Sequence, residues 1–441
     1  MKKSRSKCII HQHSLCLTFL LSINISLNSY SQKLDIDNFG FFYQIAPIFE
    51  FKQGVVSLTF DDGSRNQFDI GIPLLKEKGL LATFYLITNF IDSLTQSKLI
   101  KENSSEFEFG SHTATHPDLI KIGISGDNRE FSESQSFLKR TFGLNAGFTM
   151  SYPWGIYNNS VKQIASEYFM AARTTDPGYN SFYSLNRYEL RTQGFGHHSS
   201  AYQANMWVNY AIQNKLWLVE MIHGINDIGY SPVDSSVLSE HFDYIVNAED
   251  KVWCSTVSNV IKYLDESKNA IVECDFCDDS VYNIRVDDFM DDSVYNQQIT
   301  LRIKIPSFWD KVSISDIENF RTEVINKSKF VFFNVLPDNK RHSITPISLS
   351  SSEAEPGIKI VYLSANPFMD NIRFSLEFFE ETDIEITLSN LNGQLLIQQM
   401  EKSANGVINM YFETSGIAKG IYLLRVTSSR GDCIFKKLVK V

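Results

Sequence analysis

Acidic and imidazole side chains stand at short spacings in the first third of the chain. Asp61 and Asp62 are adjacent and follow an apolar run, and His112 and His116 are four residues apart. Two imidazoles and one carboxylate can bind a divalent metal while leaving coordination positions open for water or a substrate. The four-residue spacing predicts that both imidazoles lie on one side of a helical turn. Each pair alone is ordinary, a turn or a surface feature, but their combination predicts a catalytic metal site.

The segment that carries these residues alternates short apolar runs with helical patterns. This alternation predicts a parallel α/β fold, in which functional side chains gather where strands end. Asp61 and Asp62 follow the first such run, and His223 follows a later one. The predicted strands cover residues 55–60, 81–86 and 216–222, and the predicted helices cover residues 68–78, 161–169 and 255–264.

Four motifs in this segment resemble those of the polysaccharide deacetylase family, also called the NodB-homology or carbohydrate esterase family 4 enzymes. The resemblance implies a distorted (β/α) NodB-type barrel over residues 50–268 that hydrolyses N- or O-acetyl groups on sugars. The motifs are Thr59-Phe60-Asp61-Asp62-Gly63, His112-Thr113-Ala114-Thr115-His116-Pro117, Tyr152-Pro153-Trp154-Gly155 and Met221-Ile222-His223.

The same resemblance implies roles for the acidic and imidazole residues. Asp62, His112 and His116 would hold a divalent metal, which in this family is most often zinc. A bound ion lowers the pKa of its water toward neutrality. Asp61 would be the general base that takes the water's proton, and His223 would be the general acid that protonates the departing amine or alkoxide.

The third motif adds substrate contacts and also departs from the family pattern. Trp154 would supply a backbone N–H to the oxyanion, Tyr152 would contact the substrate, and Met221 would enclose the acetyl methyl group. Ser151 stands where the family usually has an Arg that orients the base. We therefore predict that Arg173 supplies this guanidinium from a neighbouring strand end.

The region of the usual fourth motif is a second departure. The Asp-containing stretch that ends in Trp is not recognisable, and the chain carries Ala-Ala-Arg-Thr-Thr-Asp at residues 171–176 instead. Asp176 is a weaker candidate for the polar network around His223. Glu220 is either a partner of this site or a residue that faces a helix. His197 and His198 are left out of the metal site because adjacent side chains rarely converge.

The ends, charge and cysteines of the chain indicate export. Residues 1–31 combine basic residues with a short apolar stretch and predict a signal peptide, too short and too polar at its end for a transmembrane anchor. The net charge of −10 argues against nucleic acid as the main partner. Four cysteines lie beyond the signal: Cys254, Cys274, Cys277 and Cys433. They favour a disulfide over a metal site, with Cys254 as a candidate participant and the pairing left open.

Beyond the barrel the chain becomes β-rich. Residues 275–350 predict a small β-sandwich of unknown role, and a polar stretch at 348–355 predicts a linker. Residues 361–441 predict a second all-β sandwich, and their motifs resemble the sorting domain of the type IX secretion system: Asn366-Pro367-Phe368, Leu391-Asn392-Gly393-Gln394, Gly420-Ile421-Tyr422-Leu423-Leu424 and Lys436-Lys437-Leu438-Val439-Lys440. This resemblance implies the type IX machinery as a partner and a secreted or outer cell-surface location.

The leading interpretation is therefore a secreted hydrolase that acts on an acetylated polysaccharide or oligosaccharide. One alternative is a deacetylase of peptidoglycan amino sugars. Another is a glycan-binding protein built on a degenerate barrel, which the missing Arg and fourth motif favour and the retained metal and acid–base residues disfavour. A non-haem iron oxygenase also uses two His and one carboxylate, but the α/β pattern disfavours it.

Overall fold

The computed structural model describes residues 41–102, 106–143, 146–277, 280–347, 358–364, 366–390, 394–430 and 432–441. The predicted signal peptide and linker lie outside these residues. The described chain forms two compact units, the first over Gln44–Leu264 and the second over Asp265–Val441 with the segment that ends at Tyr43. Within these residues, no helix has the length and apolar character needed to cross a membrane.

The first unit contains a closed barrel of parallel strands. After β1 (Tyr43–Ile45) come β2 (Gly54–Asp62), β3 (Ala82–Leu86), β4 (Phe107–Ser111), β5 (Thr149–Ser151), β6 (Ala171–Pro177), β7 (Leu190–Gly194), β8 (Trp217–Ile222) and β9 (Val252–Cys254). The order β3-β4-β5-β6-β7-β8-β2 closes because β2 also pairs with β3. Strand β9 pairs with the beginning of β2. Seven strands thus form the barrel, which confirms the predicted fold class.

Helices connect the strands and cover the outside of the barrel. Gly79, in the left-handed conformation, ends α1, and the Asn158 side chain caps α4 by accepting from the Val161 N–H. The helices are α1 (Ile72–Lys78), preceded by a π-helical turn at Gln67–Gly71, α2 (Ser93–Glu102), α3 (Leu119–Phe142, interrupted at Gly123), α4 (Asn159–Tyr168), α5 (Ala201–Asn214), α6 (Ser235–Asn247) and α7 (Val257–Asn269). Short 3₁₀ turns lie at Phe49–Phe51, Thr88–Phe90 and Pro153–Gly155.

Alternation along β2 separates an apolar outer layer from a polar interior. Val56, Leu58 and Phe60 belong to the main hydrophobic cluster with the helices. The intervening residues make polar contacts: Ser57 accepts from the Trp217 indole at 3.0 Å, and Asp61 bonds to an arginine of β6. Because successive side chains of a strand point to opposite faces, the polar set faces inward and Asp61 lies at its carboxyl end.

The second unit is built from β-strands, and the paired strands among β10 to β21 run antiparallel. One sheet contains the strands β12-β15-β14 in that order, a second has the order β10-β11-β16-β13, and a five-stranded sheet has the order β17-β18-β20-β21 with β19 on β18. Both halves of β18 contribute to one hydrophobic cluster. The strands are β10 (Ile271–Cys277), β11 (Tyr282–Asp287), β12 (Ile299–Ile305), β13 (Lys311–Ile314), β14 (Phe320–Ile325), β15 (Ser328–Val335), β16 (Asp338–Ile347), β17 (Ile358–Leu363), β18 (Asn371–Asn390), β19 (Leu395–Glu413), β20 (Gly420–Ser428) and β21 (Cys433–Lys440).

The expected disulfide is present, but the expectation that it involves Cys254 is wrong. Cys254 and Cys433 are free, whereas Cys274 is disulfide-bonded. Cys254 lies on β9, and its thiol is 3.8 Å from the Leu81 carbonyl oxygen. Of the four cysteines beyond the predicted signal peptide, it is the one that belongs to the barrel unit, and its thiol lies at the beginning of β3.

Candidate metal and catalytic site

A group of three potential metal ligands lies at the carboxyl ends of β2 and β4. The Asp62 Oδ1 atom is 3.6 Å from His112 Nε2 and 4.0 Å from His116 Nε2, and the two Nε2 atoms are 3.1 Å apart. All three ligand atoms lie within 4.8 Å of one another, and no other such group occurs in the described part of the chain. The structure therefore brings together the three residues predicted as ligands.

The surroundings of His112 fit a metal ligand. Its Nδ1 lies 2.9 Å from the Ser151 carbonyl oxygen and 2.6 Å from the Ser151 hydroxyl. An Nδ1–H that donates to this carbonyl leaves the Nε2 lone pair for a metal. Burial lowers the pKa of His112 to about 3, which keeps the imidazole in the neutral, metal-binding form.

Electrostatics at the carboxylate ligand also suits a cation. Burial and then the neighbouring Asp61 carboxylate raise the pKa of Asp62. A divalent cation beside Asp62 would favour its ionised form. Two imidazole nitrogens and one carboxylate fit such an ion, so the three residues form a possible metal site.

The predicted helical turn between the two histidines is wrong. Residues 112–118 form a loop in which Thr113 and His116 have φ angles of 65° and 61°. The Ser111 hydroxyl accepts from the Thr113 N–H at 3.0 Å, and the Thr113 hydroxyl accepts from the His116 N–H at 3.0 Å. Local side-chain hydrogen bonds thus compete with helix formation and turn both imidazoles toward Asp62.

Glu130 on α3 supports this loop and was missed in the sequence. It is buried, and its two carboxylate oxygens accept from the Thr115 N–H at 2.8 Å and the Thr115 hydroxyl at 2.7 Å. The neighbouring Asp127 is also buried, with Oδ1 lacking a partner among the described residues. The sequence did contain a signal for burial: both acidic residues lie on the same face of the helix as the apolar Phe131 and Leu138.

Asp61 lies inside the barrel and is paired with a guanidinium. Arg173, which is fully buried, donates to Asp61 Oδ2 and also to the Thr174 carbonyl oxygen at 2.9 Å. His223 Nε2 is 3.7 Å from the same Oδ2 atom. Burial raises the pKa of Asp61, but Arg173, His112 and His223 together outweigh it and hold the pKa below its usual value. Asp61 is therefore ionised.

Strand register explains how Arg173 reaches this position. Ser151 on β5 and Arg173 on β6 are paired neighbours in the sheet. The guanidinium therefore starts one strand away from the position where the motif usually carries it. It also lies 5.5 Å from the centre of the Tyr85 ring. A Cβ atom at Gly110 would lie 2.6 Å from that ring, so only glycine leaves room for Tyr85 there.

His223 follows β8 and is tied to the end of β2. The buried Gln67 side chain donates to the carbonyl oxygens of Asp61 at 2.5 Å and His223 at 2.6 Å. One amide therefore joins the strand end of the predicted base to that of the predicted acid. Gln67 was missed because its partner His223 is 156 positions away, and no local pattern marks it.

Two of the predicted substrate residues border the site. Trp154 is 67% exposed, has a φ of 60°, and its ring centroid lies 4.7 Å from that of His116. Its indole donates to the His116 carbonyl oxygen at 3.3 Å. Met221 is half-buried, with its sulfur 3.0 Å from Arg173 Nη1. Both side chains are thus next to the groups of the site.

Tyr152 and Asp176 lie elsewhere. Tyr152 is buried in the cluster between the barrel and α4, and its hydroxyl donates to the Tyr188 carbonyl oxygen at 3.2 Å. Its ring therefore offers no surface to a substrate. Asp176 accepts from the Tyr157 hydroxyl at 2.8 Å, whereas His223 has Asp61 as its acidic partner.

Glu220 and the paired histidines are also resolved. Glu220 faces helix α6, where its carboxylate lies 3.0 Å from His241 Nε2 in a fully buried contact. His197 and His198 are exposed with ring centroids 3.6 Å apart, and His197 Nδ1 lies 2.8 Å from the Ser231 hydroxyl. Neither histidine belongs to the group of potential metal ligands.

Comparison with known proteins finds two families in the chain. A polysaccharide deacetylase model matches residues 50–172, and a secretion system C-terminal sorting domain model matches residues 365–441. A bifunctional xylanase/deacetylase of Pseudobutyrivibrio xylanivorans is 26% identical over 205 residues, which are 46% of this chain and 33% of that protein. A peptidoglycan-N-acetylglucosamine deacetylase of Bacillus cereus is 28% identical over 123 residues, 27% of this chain and 44% of that protein.

The solved structures that resemble the chain include the Xyl-CE4 domain of a multidomain xylanase from the hindgut metagenome of Trinervitermes trinervoides. It is 20% identical, covers 49% of this chain and 91% of its own, and has a TM-score of 0.37. The two curated relatives named above are matched over less than half of their own length. The two family matches cover different ends of the chain, in the order expected from its motifs.

Proposed function

We propose that this chain, which carries a polysaccharide deacetylase domain and a C-terminal sorting domain, is a secreted metal-dependent hydrolase that removes N- or O-linked acetyl groups from a polysaccharide. The observation that supports this most is the grouping of Asp62, His112 and His116 within 4.8 Å. An ionised carboxylate and an imidazole, those of Asp61 and His223, lie directly beside it.

The metal that fits these ligands best is zinc. Two imidazoles and one carboxylate form one of the common catalytic ligand sets of zinc, with a fourth position open. When bound, such an ion supplies a water molecule of lowered pKa and polarises the acetyl carbonyl group. The carbonyl oxygen of Ser151 keeps His112 in the tautomer that this binding needs.

Asp61 acts as the general base in this proposal. Arg173 occupies its Oδ2 atom, while the buried Oδ1 atom has no hydrogen-bond partner among the described residues. Oδ1 can therefore accept the proton of the attacking water while the guanidinium holds the carboxylate in place. The low pKa of Asp61 keeps it ionised under mildly acidic conditions.

His223 acts as the general acid and protonates the departing amine or alkoxide. Its Nε2 atom lies 3.7 Å from Asp61 Oδ2, so the proposed acid is next to the proposed base. The main-chain N–H of Trp154 would stabilise the oxyanion, and Met221 would contact the acetyl methyl group. Tyr152 is left out of the proposed contacts because its ring is buried.

The substrate and location follow from the two families. Because the relatives named above are a bifunctional xylanase/deacetylase and a peptidoglycan-N-acetylglucosamine deacetylase, an acetylated polysaccharide or oligosaccharide is proposed. The sorting domain indicates secretion, and we propose the type IX machinery as the partner and the outer surface or the medium as the destination. Proposed boundaries are 1–31 for the signal peptide, 50–268 for the catalytic domain, 275–350 for the middle domain and 361–441 for the sorting domain.

Metal analysis combined with acetate release tests the proposal. The purified chain should contain about one zinc ion and release acetate from at least one of acetylated chitooligosaccharides, acetylated xylan and peptidoglycan. Chelation should abolish release, and added zinc should restore it. His116→Ala should lose the metal, whereas His342→Ala, which removes an imidazole from the second unit, should keep it. Absence of both bound metal and acetate release would favour a glycan-binding protein instead.

A further inference from the structure

We propose that Tyr230 is a platform against which the sugar on the leaving-group side of the acetyl group stacks, and that Ser231 and His197 hold this platform in place. The inference rests on the proposed function and deepens it, because it assigns the part of the site that distinguishes a carbohydrate from any other acetylated compound.

The position of Tyr230 relative to His223 is the first observation. The two ring centroids lie 5.2 Å apart with an interplanar angle of 74°, and Tyr230 is 72% exposed. His223 must approach the nitrogen or oxygen atom that leaves with the sugar. The sugar that carries this atom therefore lies next to Tyr230, whose exposed ring offers an apolar face with a polar hydroxyl at its tip.

The main chain of the loop presents Tyr230, since most of its side chain is not packed. The Gly224 N–H donates to the Tyr230 carbonyl oxygen at 3.0 Å, and the Ile225 N–H donates to the Ile228 carbonyl oxygen at 3.1 Å. Gly229, just before the tyrosine, has a φ of 98°, a conformation that favours glycine. The loop is thus a closed turn that fixes the backbone from which the ring projects.

A second loop holds this turn from the side. The Ser231 hydroxyl lies 2.8 Å from His197 Nδ1 in the loop that follows β7. A Cβ atom at Gly196 would lie only 2.3 Å from the same hydroxyl oxygen, so the close approach requires glycine there. His197, which has no place among the metal ligands, is therefore a positioning residue for Tyr230.

The two exposed aromatic residues of the site consequently have different neighbours. Trp154 lies against the metal ligand His116, on the side where the acetyl group is attacked. Tyr230 lies against the acid His223, on the side where the sugar departs. A contact at Tyr230 is therefore expected to depend on the sugar, and to be absent for an acetyl ester that carries none.

The test compares acetate release by wild-type and variant protein from two substrates: an acetylated oligosaccharide and ethyl acetate, an ester whose leaving group has neither a sugar nor an aromatic ring. Tyr230→Ala should lower the ratio of their kcat/KM values by about tenfold, mainly through the KM for the oligosaccharide, as expected for loss of one aromatic contact. Tyr230→Phe, which keeps the ring, should retain most of the ratio. The matched control is Tyr183→Ala, a 65% exposed tyrosine on the loop between β6 and β7, which should leave the ratio unchanged.

A double-mutant cycle tests the role of His197. His197→Ala should lower the same ratio by about threefold in the wild-type background and have no effect on it in the Tyr230→Ala background, since coupled residues are not additive. An unchanged ratio in Tyr230→Ala, or an equal loss on both substrates, would overturn the platform. Wild-type protein inactive on both substrates would instead refute the proposed function, and this inference with it.

Discussion

Replacing Arg173 by methionine would leave Asp61 as a buried carboxylate without its guanidinium partner. Both side chains are almost inaccessible to solvent, and Oδ2 of Asp61 is the atom that Arg173 binds. Breaking a buried pair by removing one partner typically costs about 3–5 kcal/mol of unfolding free energy, because the remaining charge is uncompensated. We expect a loss in this range, measured by urea unfolding at pH 7.

The same substitution should move the pH dependence of catalysis. Burial raises the pKa of Asp61, and the neighbouring Arg173 guanidinium is the largest of the contributions that bring it below its usual value. Removing a neighbouring opposite charge typically raises a carboxyl pKa by about 1–3 units. Since the base must be ionised, the acidic limb of the kcat/KM profile should move to higher pH by a similar amount. At pH 7 we expect about a hundredfold lower kcat, at the low end of what a general base contributes.

A second variant separates the structural effect from the catalytic one. Arg173→Met combined with Asp61→Asn removes both charges, so it should recover most of the lost stability and none of the turnover. Acetate release from an acetylated oligosaccharide, followed from pH 3 to pH 9, gives the profile for the wild type and Arg173→Met, because the acidic limb of the wild type lies below pH 5. An Arg173→Met protein with unchanged kcat and an unchanged acidic limb would refute the assignment of Arg173 as the residue that orients the base.

Two further predictions concern helix α3. Glu130→Gln replaces one of the two oxygen atoms that accept from Thr115 by an NH₂ group and should weaken zinc binding about tenfold. Zinc titration measures this affinity. An unchanged affinity would mean that the loop of residues 112–118 keeps its conformation without Glu130. Burial and then Glu130 raise the pKa of Asp127 to about 6, above its unfolded value of about 3.9. The folded state therefore binds more protons between these values, and stability falls as pH rises through them. Asp127→Asn should raise Tm at pH 7 but not at pH 3.5, and equal changes at both pH values would contradict this reasoning.

The site residues that could be predicted from the sequence directly follow an apolar run that forms a strand. The Asp pair follows a continuous apolar strand, and His223 follows another, so parallel pairing brings both to one end of the barrel. The same local reasoning failed between His112 and His116, because four-residue spacing does not distinguish a helix from a loop. There the hydroxyls of Ser111 and Thr113 determine the backbone.

The residues that were missed act over long sequence separations. Gln67 bonds to His223, 156 positions away, and Glu130 bonds to a loop 15 positions earlier. Neither contact follows from periodicity, because a buried polar residue shows only that some partner exists. For Cys254, the compartment argument predicted a disulfide, whereas the fold places its thiol beside the Leu81 carbonyl group in the barrel unit.

The place of the guanidinium bears on whether the site is complete. When the motifs are compared position by position along the chain, Ser151 stands where the family usually has an arginine. This difference favoured the interpretation of a degenerate barrel. In the sheet, Ser151 and Arg173 are register partners on adjacent strands, and Arg173 donates to the Asp61 carboxylate. A long side chain from either strand can reach it, so what must be kept is a positive charge at Asp61 Oδ2. Ser151 is then released to hold His112 through its carbonyl oxygen and hydroxyl. We therefore propose that the guanidinium has moved between neighbouring strands, and under this proposal the departure from the motif is compatible with a working site.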